Sequence, residues 1–209
     1  SRSSAASDVY KRQLLHRTYS VKSGDVILVH AAAGGMGLIL CQWAKSLGAI
    51  TVGTVSTPKK AEVAKLAGCH HPVVRSEQNF VDVVKDVTNG EGCAVVYEAI
   101  GKETLQKSLD SLRPMGVCAA YGHVSGPPEP VDIIQDLGRR GSLFITRPAI
   151  MHYLAKRSDL EWTARALFRA IEDGVLDANV NYEYSLKDAV KAHKAIESGR
   201  TLGATVLIP

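Results

Sequence analysis

The stretch that decides the fold runs Val26-Ile-Leu-Val-His30-Ala-Ala-Ala-Gly34-Gly-Met-Gly37-Leu-Ile-Leu40-Cys-Gln-Trp-Ala-Lys45. Its first four residues are a continuous apolar run, which suits a strand covered on both faces as in a parallel sheet. Apolar residues then recur at Met36, Leu40, Trp43 and Leu47, the spacing of one helix stripe, and Gly48 ends that helix. Between strand and helix lie Ala32, Ala33, Gly34, Gly35, Met36 and Gly37, a G-x-G-x-x-G pattern in which Ala32 takes the first glycine's place. Gly34 lets the backbone approach a pyrophosphate, Gly37 lets helix pack close to strand, and the N–H groups of the helix start face the anion. A merely tight strand-to-helix turn would use the same glycines; the strand and helix on either side favour a dinucleotide site.

Working outward, a chain of 209 residues can bury a sizeable core in one or two domains. Hydrophobic content of 45% and charged content of 22% are ordinary for a globular protein. No apolar run approaches the ~20 residues that span a bilayer, and no secretory signal opens the sequence. The net charge of +4 is modest, and Arg2, Lys11 and Arg12 all fall in residues 1–13, so no nucleic-acid footprint is indicated. Cys41, Cys69, Cys93 and Cys118 are scattered without zinc-site spacing, which reads as small core residues in a reducing, cytoplasmic setting.

Residues 1–13 have no apolar period and resemble translated adapter DNA, so they are set aside as a non-native leader. Residues 14–19 read as the tail of a helix. Strands are expected at 49–55, 72–74, 94–99, 117–121 and 142–146. The helical patterns between them fall at 58–67, opened by Thr57 and Pro58, then at 79–87, 102–112 and 131–137. That alternation predicts a Rossmann-type, doubly wound parallel sheet, an α/β fold of strand order 3-2-1-4-5-6 over residues 14–143. After Pro148 the pattern changes to a helix at 160–171, a strand at 180–184, a helix at 186–196 and a closing strand at 204–208. This last part carries too little apolar surface to form a core alone.

The end of the second strand is Ser56, where an NAD site would place a carboxylate on the ribose 2′-hydroxyl. Lys59 and Lys60 follow in a first helical turn, where cations oppose the helix dipole unless an anion sits nearby, and Arg75 ends the third strand. Donors without a carboxylate favour a 2′-phosphate, hence NADP(H); the other reading is a solvated lysine pair.

The pieces Ala-Ala-Gly-Gly-x-Gly-Leu, Gly53-Thr-Val-Ser-Thr-x-x-Lys60, Val96-Tyr-Glu-Ala-Ile-Gly101, Gly141-Ser-Leu-Phe-Ile-Thr-Arg-Pro148, Leu186-Lys-Asp-Ala-x-x-Ala-His193 and Leu207-Ile-Pro resemble the zinc-independent quinone oxidoreductases. These form the ζ-crystallin-like branch of the medium-chain dehydrogenase/reductase superfamily. The resemblance implies NADPH-dependent reduction of quinones or related α,β-unsaturated carbonyls, and a homodimer paired through residues 142–146. It also implies that the first part of a GroES-like substrate domain is missing, with residues 144–209 returning to complete it. Lys60 maps to the lysine of the 2′-phosphate. Arg75, Ala99 and His123 stand where the family often has Tyr, Ser and Asn.

The expected cofactor contacts are therefore Ala32 to Gly37 on the pyrophosphate and Ser56, Lys60 and Arg75 on the 2′-phosphate. Ile100, Gly101, Tyr121, Gly122, His123 and Arg147 fall on the nicotinamide side. No catalytic acid or base is assigned: His123 at a strand end could donate a proton or be an exposed loop residue. His30 reads as a satisfied core histidine, and the adjacent His70 and His71 point apart, so no metal site is expected. Two other functions remain open: an enoyl-thioester or alkenal reductase with the same nucleotide half, and a nucleotide-binding module without turnover.

Overall fold

The computed structural model describes residues 11–177, 180–199 and 201–209. Its centre is a sheet of β1 (Val26–Val29), β2 (Ile50–Val55), β3 (His71–Val74), β4 (Cys93–Glu98), β5 (Leu112–Ala120) and β6 (Phe144–Thr146). The strands are all parallel and lie in the order β3-β2-β1-β4-β5-β6, as the alternation predicts. The connecting helices are α1 (Gly35–Ser46), α2 (Pro58–Leu66), α3 (Phe80–Val87) and α4 (Leu105–Asp110). Thr57 caps α2 by accepting from the Lys60 amide, with Pro58 at the first helical position, and the Asn79 side chain caps α3.

Side chains alternate across the strands, which divides the core into two layers. Ile27, Val29, Val95 and Tyr97 face α1 with Leu40, Cys41 and Trp43, whereas Leu28, Val52 and Val96 face α3 and α4 with Phe80, Val84, Leu105 and Leu109. Burial on both faces is what the uninterrupted apolar runs of β1 and β4 require.

β5 starts earlier than the sequence pattern implies, running through Pro114 and the left-handed Met115 (φ 59°), so α4 ends at Asp110. β6 starts later, at Phe144, because Ser142 is also left-handed (φ 57°) and turns the chain before pairing with Val117 can begin. The expected helix at 131–137 is a wide turn, Ile133–Gly138, capped by the Asp132 carboxylate.

Before the sheet lies another wide helical turn, Leu14–Thr18, with Leu14 and Leu15 fully buried. Residues 11–13 lead into it and are buried too: Gln13 Nε2 donates to Thr163 Oγ1 at 2.7 Å, and the Arg12 guanidinium lies 3.5 Å from the Trp162 ring centre. The break in composition at Gln13 is therefore not a break in packing. The rest of the leader lies outside the described residues.

The carboxyl-terminal part comprises α5 (Ile150–Tyr153), α6 (Arg157–Glu172), β7 (Val180–Ser185), α7 (Ala189–Glu197) and β8 (Ala204–Ile208). Leu167 and Ala170 of α6 join the core beneath the sheet, while β7 and β8 form a separate parallel pair. Among the described residues, no helix is long and apolar enough to cross a membrane.

Candidate functional site

β1 sits where the chain winds away in both directions, with β2 on one side and β4 on the other, the place where open α/β sheets hold ligands beyond their carboxyl ends. The glycine turn stands there. Ala31 is left-handed (φ 52°), the Gly34 amide donates back to the Ala31 carbonyl at 2.9 Å, and Gly34 is the extended cap of α1. A Cβ on Gly37 would lie 2.3 Å from the Ala31 oxygen and 2.5 Å from Ala32 Cα, so only glycine fits. The turn predicted over Ala32, Ala33, Gly34, Gly35, Met36 and Gly37 is thus formed at a helix start. On its flank Gly203 donates its amide to the Ala33 carbonyl at 3.1 Å and bridges Gly34. The sequence reading missed this contact, since nothing local to Gly203 announces it.

The loops after β4 and β5 are bonded together into one wall. The amides of Gly122, Val124 and Ser125 donate to the carbonyls of Glu98, Ala99 and Ile100 at 3.1, 3.2 and 2.8 Å. Gly122 lies so close to Ala99 that a Cβ would fall 2.5 Å from its oxygen. Arg147, just past β6, donates to the Ala120 carbonyl at 2.6 Å and lies 3.0 Å from His123 Nδ1. Ile100, Gly101, Tyr121, Gly122, His123 and Arg147 are therefore brought together as expected. His123 is exposed, and its Nδ1 faces a donor.

Ser56 and Arg75 follow β2 and β3, where the Arg75 amide donates to the Val55 carbonyl at 3.1 Å, and Lys60 stands in the first turn of α2. The charged ends of Lys60 and Arg75 are engaged with separate protein groups. Lys60 Nζ donates to the Gly199 carbonyl at 2.6 Å, and Arg75 Nη1 pairs with Glu103 at 3.2 Å. Beside that pair, a cavity of about 380 Å³ is lined by Arg75, Asn79, Glu103, Thr104 and Lys107.

Beneath these loops lies a buried polar cluster that the sequence reading named only in part. His30 is fully buried and satisfied, as expected: Nδ1 is 2.8 Å from Thr54 Oγ1 and Nε2 is 2.9 Å from Ser108 Oγ, with Phe80 edge-on at 5.0 Å. Glu98, also fully buried, accepts from Ser108 Oγ at 2.5 Å and from Thr104 Oγ1 at 2.9 Å. The same carboxylate takes the amides of Ile100 at 2.6 Å and Gly101 at 3.1 Å. Burial works against the Glu98 charge, but the neighbouring ring, Ser108 and the two amides outweigh it and hold the carboxyl below its usual range. Burial also holds the His30 ring below its ordinary value, against the pull of Glu98. Ser108 gives its proton to Glu98 and so accepts from Nε2–H, while Nδ1 lies against Thr54 Oγ1. A signal existed: β1 pairs β2 as Val29 with Gly53 and β4 as Val29 with Tyr97, so Thr54, His30 and Glu98 follow as one row of polar residues ending apolar strands.

Residues 35–163 match the family model described as zinc-binding dehydrogenase. The chain belongs to this family, part of the medium-chain dehydrogenase/reductase superfamily. It is 53% identical over 196 residues to a 2-haloacrylate reductase of Burkholderia sp, covering 94% of this chain and 59% of that protein. It is 43% identical over 198 residues to a quinone oxidoreductase of Salmonella typhimurium, covering 94% and 60%. It also superimposes on the crystal structure of Escherichia coli quinone oxidoreductase complexed with NADPH, with a TM-score of 0.93, 40% identity and coverage of 97% and 62%. The chain thus spans about three fifths of the length of these relatives. Among its described residues no three His, Cys, Asp or Glu side chains are grouped to hold a metal ion, so the family's zinc finds no fitting ligand set in them.

Proposed function

We propose that this chain binds NADP(H) and forms the nucleotide-holding part of an NADPH-dependent reductase of quinones or related α,β-unsaturated carbonyls. The observation that carries the reading is the glycine turn. The close packing at Gly37 suits any tight turn, but a helix start opening at the switch point of the sheet is where a pyrophosphate is held. Ser56, Lys60 and Arg75, with no carboxylate at the end of β2, supply the positive corner for a 2′-phosphate. This asks Arg75 to exchange Glu103, and Lys60 the Gly199 carbonyl, for the phosphate. The structure of the Escherichia coli relative with NADPH supports the choice of nucleotide.

When bound, NADPH supplies a hydride from the nicotinamide. The chain's share is to bind and orient: the bonded loops after β4 and β5 form a fixed wall, and fixed geometry lets a hydride be delivered without reorganisation. Arg147 and His123 at the rim can hold a developing negative charge on a carbonyl oxygen.

A second reading has its own support, because the 53% identical relative is named for an unsaturated halo-acid rather than a quinone. Both kinds of acceptor carry an electron-poor carbon–carbon double bond conjugated to a carbonyl. NADPH oxidation measured against a quinone, 2-haloacrylate and an enoyl thioester separates them. Binding of NADPH with no oxidation by any acceptor would favour a nucleotide-binding module instead. A homodimer through β6 belongs to the same proposal, supported by an outer strand whose Phe144 is 60% exposed.

A further inference from the structure

We infer that Glu98 is a positioning residue, which fixes the Ile100–Gly101 backbone and links it to the glycine turn and the phosphate corner. The inference rests on the reading that the loop after β4 faces the nicotinamide. It is carried by the row Thr54, His30, Glu98, which ends β2, β1 and β4 side by side. Each member stands one or two residues before a loop assigned to the cofactor: Ser56 follows Thr54, the turn from Ala31 follows His30, and Ile100 follows Glu98.

The chemistry of the cluster is directional. His30 and Ser108 pass donors toward the carboxylate, with Thr54 on the far side of the ring, and the carboxylate spends its other oxygen on Thr104 and on the Ile100 and Gly101 amides. Charge-assisted bonds of this kind are roughly twice as strong as neutral ones. A carboxylate holding two successive amides leaves that segment little freedom to rotate. Packing alone does not require it, since an apolar side chain of similar size would fill the same volume. A buried ionised carboxylate is costly unless it is fully bonded. Here the bonds lead to the loops, which assigns the group a task at the site.

The test compares the wild-type chain with Glu98→Met and Glu98→Gln. Met keeps the bulk and removes the acceptors; Gln restores one carbonyl oxygen without charge. Two quantities are read: residue-resolved amide exchange in the nucleotide-free protein, and NADPH affinity from cofactor fluorescence. For Glu98→Met, exchange at Ile100 and Gly101 is expected to quicken by about tenfold or more, with Leu28 and Val52 unchanged and NADPH binding weakened about tenfold. Glu98→Gln should fall between the two on both readouts. Unchanged exchange at those two amides, or an equal loss of protection throughout the sheet, overturns the inference. If Glu98→Met does not fold, Glu98→Gln decides on the same amides. If the wild-type chain fails to bind NADPH, the functional reading falls, while the exchange data still decide whether Glu98 holds the loop.

Discussion

Replacing Gly37 by Ala tests the nucleotide turn at its tightest point. The added Cβ would sit 2.3 Å from the Ala31 oxygen where ordinary contact begins at 3.4 Å, and the next neighbours, Ala32 Cα and C, are 2.5 and 2.7 Å away. All are backbone atoms, so the turn itself must move, by about 1 Å. Overpacking of this kind costs about 1–3 kcal/mol. In a chain of this size that lowers Tm by roughly 3–10 °C. The same movement displaces the amides at the start of α1, and each hydrogen bond to a charged group carries about 1.5–3 kcal/mol, so NADPH binding should weaken by about tenfold or more. Gly34→Ala is the graded comparison, with its Cβ 3.2 Å from the Ala31 oxygen, and Gly138→Ala the control, 3.4 Å from the Ile133 oxygen. Thermal unfolding and NADPH titration should rank the variants Gly37 worst, then Gly34, then Gly138. A Gly37→Ala chain with wild-type Tm and wild-type NADPH affinity would refute the argument.

The remaining expectations use other parts of the molecule. Burial, the leading cause in each case, holds the rings of His16, His30 and His70 below their ordinary values. The folded chain therefore binds fewer protons than the unfolded one between about pH 7 and 5, and stability must fall as the pH drops through that window. Urea midpoints that rise toward pH 5 would contradict this. Phe144→Lys places a charge on the outer edge of the sheet, so sedimentation should show a dimer becoming a monomer; an unchanged sedimentation coefficient would remove β6 from the interface. Burial pushes the Cys93 thiol up to about 12 and raises Cys118, and a hydrogen bond with Cys69 together with burial raises Cys41, so these three should resist a thiol reagent at pH 8 until the chain is unfolded. Rapid native labelling at any of them would show that the packed layers open.

The strand order was legible because both signals it needs are local: apolar runs short enough to be strands, and turn residues between them. Thr57 and Pro58 announced α2, and the left-handed Ser142 and Met115 shifted strand ends by a few residues because φ is not written in residue type. The glycine turn could be read since its chemistry lies in consecutive residues. Glu98 showed only as a polar residue ending an apolar strand, because its meaning depends on His30, Thr54 and Ser108 arriving from three other elements. The same holds for the ends of Lys60 and Arg75, whose partners Gly199 and Glu103 are distant in the chain.

The most direct test of the account is a titration of the folded chain with NADPH and with NADH, repeated on Lys60→Ala. The account predicts tighter binding of NADPH, with the preference lost when Lys60 is removed while NADH binding barely changes. Equal affinity for the two nucleotides, or no binding of either by a demonstrably folded chain, would contradict it.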